Sequence, residues 1–248
     1  MVNGKKITVV IPCRNEEKII AQTIKNVPDY VDEIIVVDNG STDNTVAAAK
    51  AAGARVLTDK RTQNGIGYGY AIMKGLYYST GDIIFTMDGD DTYPSYQIRG
   101  IVDYMDFNNL DFVTCCRIPL KHTKAISRIR RFGIHVLNFE VFLLYGVSLR
   151  DILTGMWVMR REIVPMLDLR MGDWNLSPEV KISAFTNPKI KFDEYHIDHF
   201  ERGQEPSKQS IWRTGMSHLL YILKRRFTQD INYRVRSDLR VTERSSDQ

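Results

Sequence analysis

Cysteine is scarce in this 248-residue chain: only Cys13, Cys115 and Cys116 occur. An odd count with two neighbours adjacent does not build a disulfide framework and points to a reducing, cytosolic setting. The spacing also fails the patterns of structural zinc sites. Long apolar runs are missing as well. The run at residues 9–11 is interrupted by Pro12 and Arg14, so no secretory leader is expected. The longest apolar window, residues 132–149, carries His135, Asn138 and Glu140, which argues against a membrane span. Neither sign of charge dominates. A net charge of +4 permits an anionic partner without demanding one, and no nucleic-acid partner is expected. There is no internal repeat. What is present is an ordinary apolar content of 43%, enough to bury the core of one large domain, or of one domain with an appendage.

The chain is organised around residues 85–94, FTMDGDDTYP. The apolar run before it reads as a buried strand. Side chains alternate along a strand, so Asp88 and Asp90 point the same way, with Gly89 leaving room between them. Two carboxylates held side by side repel, and a hard divalent cation, Mg2+ or Mn2+, would relieve that repulsion. Such a cation keeps open positions for phosphate oxygens. The plainer alternative is a polar turn after a strand.

In chain order, residues 7–11 (ITVVI) and 33–37 (EIIVV) read as buried parallel strands, each followed by a polar loop and a helix. Asp38 at the second loop could hold a ribose or a base edge, while Ser41, Thr42 or Asp43 caps the alanine-rich helix after it. A short strand at 54–57 leads to a glycine-rich segment, residues 63–70, that opens a helix as phosphate-cradling loops do. A helix at 96–105 and a strand at 111–115 continue the strand–helix alternation of an α/β sheet with helices on its faces. Then Lys121, His122, Lys124, Arg128, Arg130 and Arg131 cluster without an acid, directly before the aromatic run at 132–149. That pairing suits either a helix on a membrane surface or a core helix with a basic shoulder. Residues 151–162 read as turn, strand and helix start. A helix begins near Pro178, a strand covers 188–196, and residues 201–208 form a polar loop. Residues 211–227 read as a helix with a basic C-terminal end, and the charged remainder to Gln248 as partly disordered. His196 and His199 read as structural, and Trp174 and Trp212 as packing residues.

Taken together, the motifs form an ordered series. VVIPCRNEE (9–17), IIVVDNGSTDNT (34–45), NGIGYGYAIMKG (64–75), MDGDDTYP (87–94), RDILTGMWVMRRE (150–162) and ERGQEPSK (201–208) follow one another over residues 5–210. The series resembles the family 2 glycosyltransferases of GT-A fold, and among them the dolichyl-phosphate (polyprenyl-phosphate) mannose and glucose synthases. The resemblance implies an α/β, Rossmann-like nucleotide-binding fold with a mixed central sheet. It implies a catalytic domain at residues 1–210, then an amphipathic, basic helix and charged tail at 211–248. It places Pro12, Arg14 and Glu16 at the nucleotide base, Asp38 at the base or ribose, and Gly65 and Gly67 near the diphosphate. Asp88 and Asp90 would hold the metal, Mg2+ or Mn2+. Arg117, Arg131, Arg202 and Lys208 would face the acceptor phosphate or the leaving diphosphate. Arg14 stands where Tyr is common in the family, Asn64 where Lys is common, and Met156-Trp157 where Phe-Arg or Phe-Lys is common.

The implied reaction is metal-dependent, inverting transfer of a sugar from a UDP- or GDP-linked donor to a polyprenyl phosphate. A lipid phosphate needs arginines more than a base. A sugar-hydroxyl acceptor would need a base, for which Asp91, Asp151 and Glu179 are the candidates. A non-catalytic nucleotide-sugar sensor is the third reading. Relatives often carry C-terminal membrane helices and this sequence has none, so the expected location is cytoplasmic, peripheral on the cytoplasmic face of a membrane.

Overall fold

A computed structural model of the chain describes residues 1–121, 125–201 and 210–228. Seven strands form one mixed sheet: β1 (Ile7–Cys13), β2 (Glu33–Asp38), β3 (Arg55–Thr58), β4 (Ile83–Thr86), β5 (Phe112–Cys116), β6 (Trp157–Arg160) and β7 (Phe192–His196), in the order β3-β2-β1-β4-β6-β5-β7. The helices are α1 (Ile20–Lys25), α2 (Thr45–Ala51), α3 (Tyr68–Tyr78), α4 (Ile98–Phe107), α5 (Arg128–Tyr145), α6 (Leu176–Thr186) and α7 (Ile211–Thr228). Two short 3-10 turns, Ser95–Gln97 and Arg161–Leu167, precede α4 and follow β6.

The inner strands are apolar on both faces because the sheet is covered on both; the edge strands β3 (RVLT) and β7 (FDEYH) carry polar residues and are partly exposed. Successive side chains go to opposite sides. Val9, Ile11, Ile83 and Phe85 pack with Ile20 and Ile24 of α1, Ala49 of α2 and Ile98, Ile101 and Met105 of α4. Val10, Ile35, Val37 and Ile84 pack with α3, α5 and α6, and Ile222 of α7 joins them.

Three features of the topology position the site. First, β1 pairs in parallel with β2 on one side and β4 on the other. The chain reverses its winding between β1 and β4, and loops leaving the carboxyl ends of strands at such a point part to leave a crevice. Second, β6 runs antiparallel to both β4 and β5. Its leading loop, residues 150–156, therefore arrives at the end of the sheet where β4 and β5 finish. Third, β5 and β7 are parallel, which brings the segment after His196 to that same end.

Some boundaries differ from those expected. α6 begins at Leu176, so Pro178 sits inside the first turn, where a proline's missing N–H costs no helix bond. β7 starts at Phe192, because residues 187–190 turn on the Ile190 N–H to Asn187 carbonyl bond. The tail beyond Thr228 and all but Glu201 of the expected loop at 201–208 lie outside the described residues. All three cysteines are buried and unpaired with one another.

Candidate active site

A cavity of about 610 Å3 opens at the carboxyl end of the parallel strands. One half is polar and takes its walls from loops. Pro12 is near the end of β1, Arg14 and Glu16 follow it, Asn39 follows β2, Gly65 and Gly67 precede α3, and Asp88 and Asp90 follow β4. The other half is apolar and lies between two helices. Ile129, Phe132 and Val136 of α5 face Trp212, Met216 and Leu219 of α7 across it.

The carboxylates reach the cavity by a different route from the one expected. β4 ends at Thr86, so Asp88 and Asp90 belong to a turn and not to a continuing strand. They line the same cavity nevertheless. Asp88 accepts the hydroxyl of Tyr68, whose own ionisation is pushed well up by burial and then by Asp88. Asp90 accepts the Thr92 hydroxyl at 2.7 Å. Asp91 takes the left-handed conformation at φ 58°, and its carboxylate turns away to accept both contacts of the Asn26 amide at 2.9 Å. Asp91 is therefore outside the cavity.

Gly155 explains how the β6 loop can come so close. A Cβ there would stand 2.9 Å from the Tyr68 hydroxyl and 3.2 and 3.3 Å from the Asp88 oxygens. Its N–H donates to the Tyr93 hydroxyl at 2.7 Å. Gly67 is similarly required: a Cβ would meet the Asn39 amide and the Arg61 carbonyl within 2.4 Å. Gly65, at φ 78°, faces open space just before α3, while the Gly69 and Tyr70 N–H groups of the first turn of α3 are already donated to the Gly172 carbonyl at 2.9 and 3.4 Å.

Arg117, at the end of β5, is buried and gripped by Asp151, with Nε at 2.6 Å and Nη2 at 3.0 Å from its two oxygens. Burial alone would push the Asp151 carboxyl up, but the Arg117 guanidinium outweighs it and holds the acid below its usual range. Burial likewise opposes the charge on Arg117, yet Asp151 raises its pKa overall. The pair stays ionised and presents Arg117 to the cavity beside Asp88 and Tyr93. Beneath it, Lys181 is fully buried and donates to the carbonyls of Ile152 at 2.6 Å and Thr154 at 2.8 Å, fixing the same loop from below.

The expected site residues thus divide. Pro12, Arg14, Glu16, Gly65, Gly67, Asp88, Asp90 and Arg117 come together on the cavity wall. Asp38 does not: its buried carboxylate folds its own loop by accepting Gly40 N–H at 3.2 Å and Ser41 N–H at 3.0 Å. The neighbouring Asn39 lines the cavity in its place. Arg130 lines it and Arg131 does not. Of the base candidates, Asp151 is locked to Arg117, and buried Glu179 accepts Arg170 and Met171 N–H groups and meets Arg225 at 3.3 Å. Arg202 and Lys208 lie outside the described residues.

Four contributors were not singled out from the sequence: Asn39, Tyr68, Tyr93 and His199. The first three sit inside quoted motifs, beside the residues chosen. His199, read as structural, lines the cavity, and its buried Nδ1 has no hydrogen-bond partner. Burial, then Arg117, lowers its pKa to about 3, so the imidazole is neutral near pH 7. Trp174, read as packing, lines the cavity and also packs on Tyr68, with ring centroids 4.6 Å apart.

Residues 8–166 match the family model for glycosyl transferase family 2. The chain is 28% identical over 183 residues to glycosyltransferase AglJ of Haloferax volcanii, covering 72% of this chain and 58% of that protein. It is 30% identical over 161 residues to the dolichyl-phosphate hexose transferase of the same organism, covering 64% of this chain and 68% of that one. In three dimensions it is similar to glucosyl-3-phosphoglycerate synthase from Mycobacterium tuberculosis, crystallised with Mn2+, UDP and glucosyl-3-phosphoglycerate. The TM-score is 0.66 at 22% identity, over 90% of this chain and 80% of that one. Fold and family together define a glycosyltransferase of GT-A architecture. The chain belongs to glycosyl transferase family 2.

Proposed function

We propose that this enzyme transfers a sugar, with inversion, from a UDP- or GDP-linked donor to a polyprenyl phosphate, with Mg2+ or Mn2+ as cofactor. The observation that carries this reading is the joining of a polar half and an apolar half in one cavity. A nucleotide-sugar needs the first, and an isoprenoid chain suits the second.

Asp88 and Asp90 would hold the cation, and His199, neutral and with a buried Nδ1, lines the same cavity. Among the described residues no three such side chains gather closely enough to hold a metal unaided, which fits a cation that shares its positions with diphosphate oxygens. Bound there, the cation supplies Lewis-acid stabilisation of the leaving diphosphate. The chain's own groups do the rest. Pro12, Arg14, Glu16 and Asn39 border the nucleoside; the Asn39 amide N–H groups are donated to the Asp59 and Arg61 carbonyls, so this residue shapes the wall beside Asp38. Gly65 and Gly67 let the diphosphate approach the backbone of the glycine-rich loop closely, whereas the Gly69 and Tyr70 N–H groups behind it are held by the Gly172 carbonyl. Arg117, kept charged by Asp151, and Arg130 offer guanidinium donors to phosphate oxygens. A lipid phosphate is already ionised near neutral pH and needs no strong base. Asp91, Asp151 and Glu179 are all off the cavity wall, which favours phosphate over a sugar hydroxyl as acceptor. Such an acceptor brings the enzyme to the cytoplasmic face of a membrane as a peripheral protein.

The test pairs UDP- and GDP-sugars with a short polyprenyl phosphate in detergent, with Mn2+ or Mg2+ and then with chelator. Metal-dependent glycosyl-lipid is expected, and Asp90→Ala should abolish it while leaving the melting temperature near wild type. An Asp90→Ala enzyme that stays active and metal-requiring would remove Asp90 from the metal site. Donor turnover without lipid product would overturn the acceptor.

A further inference from the structure

Helices α5 and α7 leave large apolar side chains in solvent, and they do so in register. On α7 these are Trp212, Met216, Leu220, Leu223 and Phe227, with Trp212 at 80% exposure and Phe227 at 75%. At 100° per residue the five fall within an arc of about 80°. His218, Ile222 and Arg225 occupy a different face and are buried. On α5 the exposed set is Ile129, Phe132, Val136, Phe139, Phe142 and Leu143; all but Phe142 fall within an arc of about 80°, and Phe142 widens it to about 140°. Its core face is Ile134, Leu137, Asn138, Val141 and Tyr145. Each helix therefore carries two apolar faces, one for the core and one without a partner among the described residues.

The two exposed stripes form one surface. The first turns of both helices line the same cavity. Near their other ends, the Tyr145 hydroxyl donates to the Ile222 carbonyl at 3.3 Å and Arg226 Nε to the Leu144 carbonyl at 2.7 Å. The helices thus run side by side in the same sense, each about 27 Å long. Cations border this surface. Arg128 flanks the α5 stripe, and Arg213 and Lys224 flank that of α7; all three are exposed. Glu140 is the one acidic residue in either helix.

We infer that the paired outer stripes of α5 and α7 are a monotopic docking platform for an anionic lipid bilayer, which sets the mouth of the cavity at the level of the lipid headgroups. A bilayer fits better than a protein partner for two reasons. The stripes are aliphatic and aromatic side chains whose single polar group is the Trp212 indole N–H, a group suited to the headgroup level. The cations stand at their edges, where headgroup phosphates would lie. The surface is also continuous with the apolar half of the cavity, so a lipid could pass from one to the other without crossing water. In purpose the platform rests on the lipid-acceptor reading, but docking is measured without donor or acceptor.

The full chain is mixed with vesicles of phosphatidylcholine, with and without phosphatidylglycerol, and sedimented. Binding is expected to be stronger with the anionic lipid and to weaken, though not vanish, with added salt. The tryptophan emission should shift to the blue on binding, because Trp212 is exposed while Trp157 is in the core and Trp174 is half-buried against Tyr68. Trp212→Phe should remove that shift. The combined variant Phe139→Glu, Leu143→Glu, Leu223→Glu and Phe227→Glu alters only exposed sites away from the cavity. It should lose vesicle binding by roughly tenfold or more, with an unchanged melting temperature and unchanged nucleotide-sugar binding. Absence of vesicle binding by the wild type, or equal binding by the fourfold variant, would overturn the platform. So would self-association in sedimentation velocity that the variant abolishes, which would make the face a contact between copies. Vesicle binding together with failed transfer to polyprenyl phosphate would keep the platform and remove the acceptor reading.

Discussion

Gly155 and Arg117 show how much of this site rests on side chains that never needed to bear the chemistry alone. A methyl group at Gly155 would press on the Tyr68 hydroxyl and both Asp88 oxygens. Gly155→Ala is therefore expected to lower kcat/KM at least tenfold, about 1.4 kcal/mol in transition-state stabilisation, by displacing Asp88. Its melting temperature should move little, since the clash falls on side chains at the rim of the core. Arg117→Met should be worse for folding than for any single contact. It leaves Asp151 buried and charged without its partner, a loss of about 3–5 kcal/mol in comparable buried pairs. Chemical denaturation would measure it, and Asp151→Asn in the same background should recover part of the loss. At this scale the sequence was read well where the residue type itself is uncommon in its setting, as with Asp88 and Asp90. It was read less well between neighbours. Asp38 and Asn39, or Arg130 and Arg131, are equally plausible one residue apart, and only backbone direction decides which one enters the cavity.

The elements were legible for the reasons that make them form. Strands β1, β2 and β4 are short apolar runs ended by polar turns, and α5 announces itself by its length. Its ends are set by two residues. The Ser127 side chain accepts the Arg130 N–H at the N-terminus, and Gly146 closes the helix in the left-handed conformation at φ 70°. Ser127→Ala and Gly146→Ala are each expected to cost about 1 kcal/mol, read as a shift in denaturation midpoint with an unchanged slope. The composition of α5 left two readings open, membrane surface or core. The structure gives its two faces different neighbours: one is in the core and the other is apolar and exposed. Periodicity within a single helix could not reveal this, because both faces are apolar and their difference comes from what packs on them.

Across the whole molecule, buried titratable groups oppose one another. Burial, then Lys181, lowers the His218 pKa to about 4, from 6.5. The unfolded chain takes up that proton first, so stability falls as pH drops from about 6.5 toward 4. Burial raises the Glu194 pKa to about 7, from 4.5, against the Arg150 and Asp151 N–H groups that lower it. Here the native state takes up the proton first, so stability falls as pH rises from about 4.5 toward 7. The two windows overlap, and the wild-type melting temperature should vary little between them. Single variants separate the effects. His218→Gln should gain stability relative to wild type on going from pH 7.5 to 5, and Glu194→Gln should lose it. Each change is about 2 kcal/mol at most, a difference of several degrees in melting temperature.

By itself the sequence determined the α/β class, the run of strands and helices, the polar loops after β1 and β2 and the Asp88–Asp90 pair. Each is written in a local pattern: apolar runs, turn residues, and charged groups placed where a strand stops. Tertiary structure alone decided that β6 enters antiparallel and carries Gly155 and Asp151 to the foot of β4 and β5. It brought His199 and Trp174, distant in the chain, to the cavity wall, and laid α5 beside α7 so that their outer stripes join. These depend on contacts between residues far apart in sequence, whose free energy comes from packing and burial that no single segment contains.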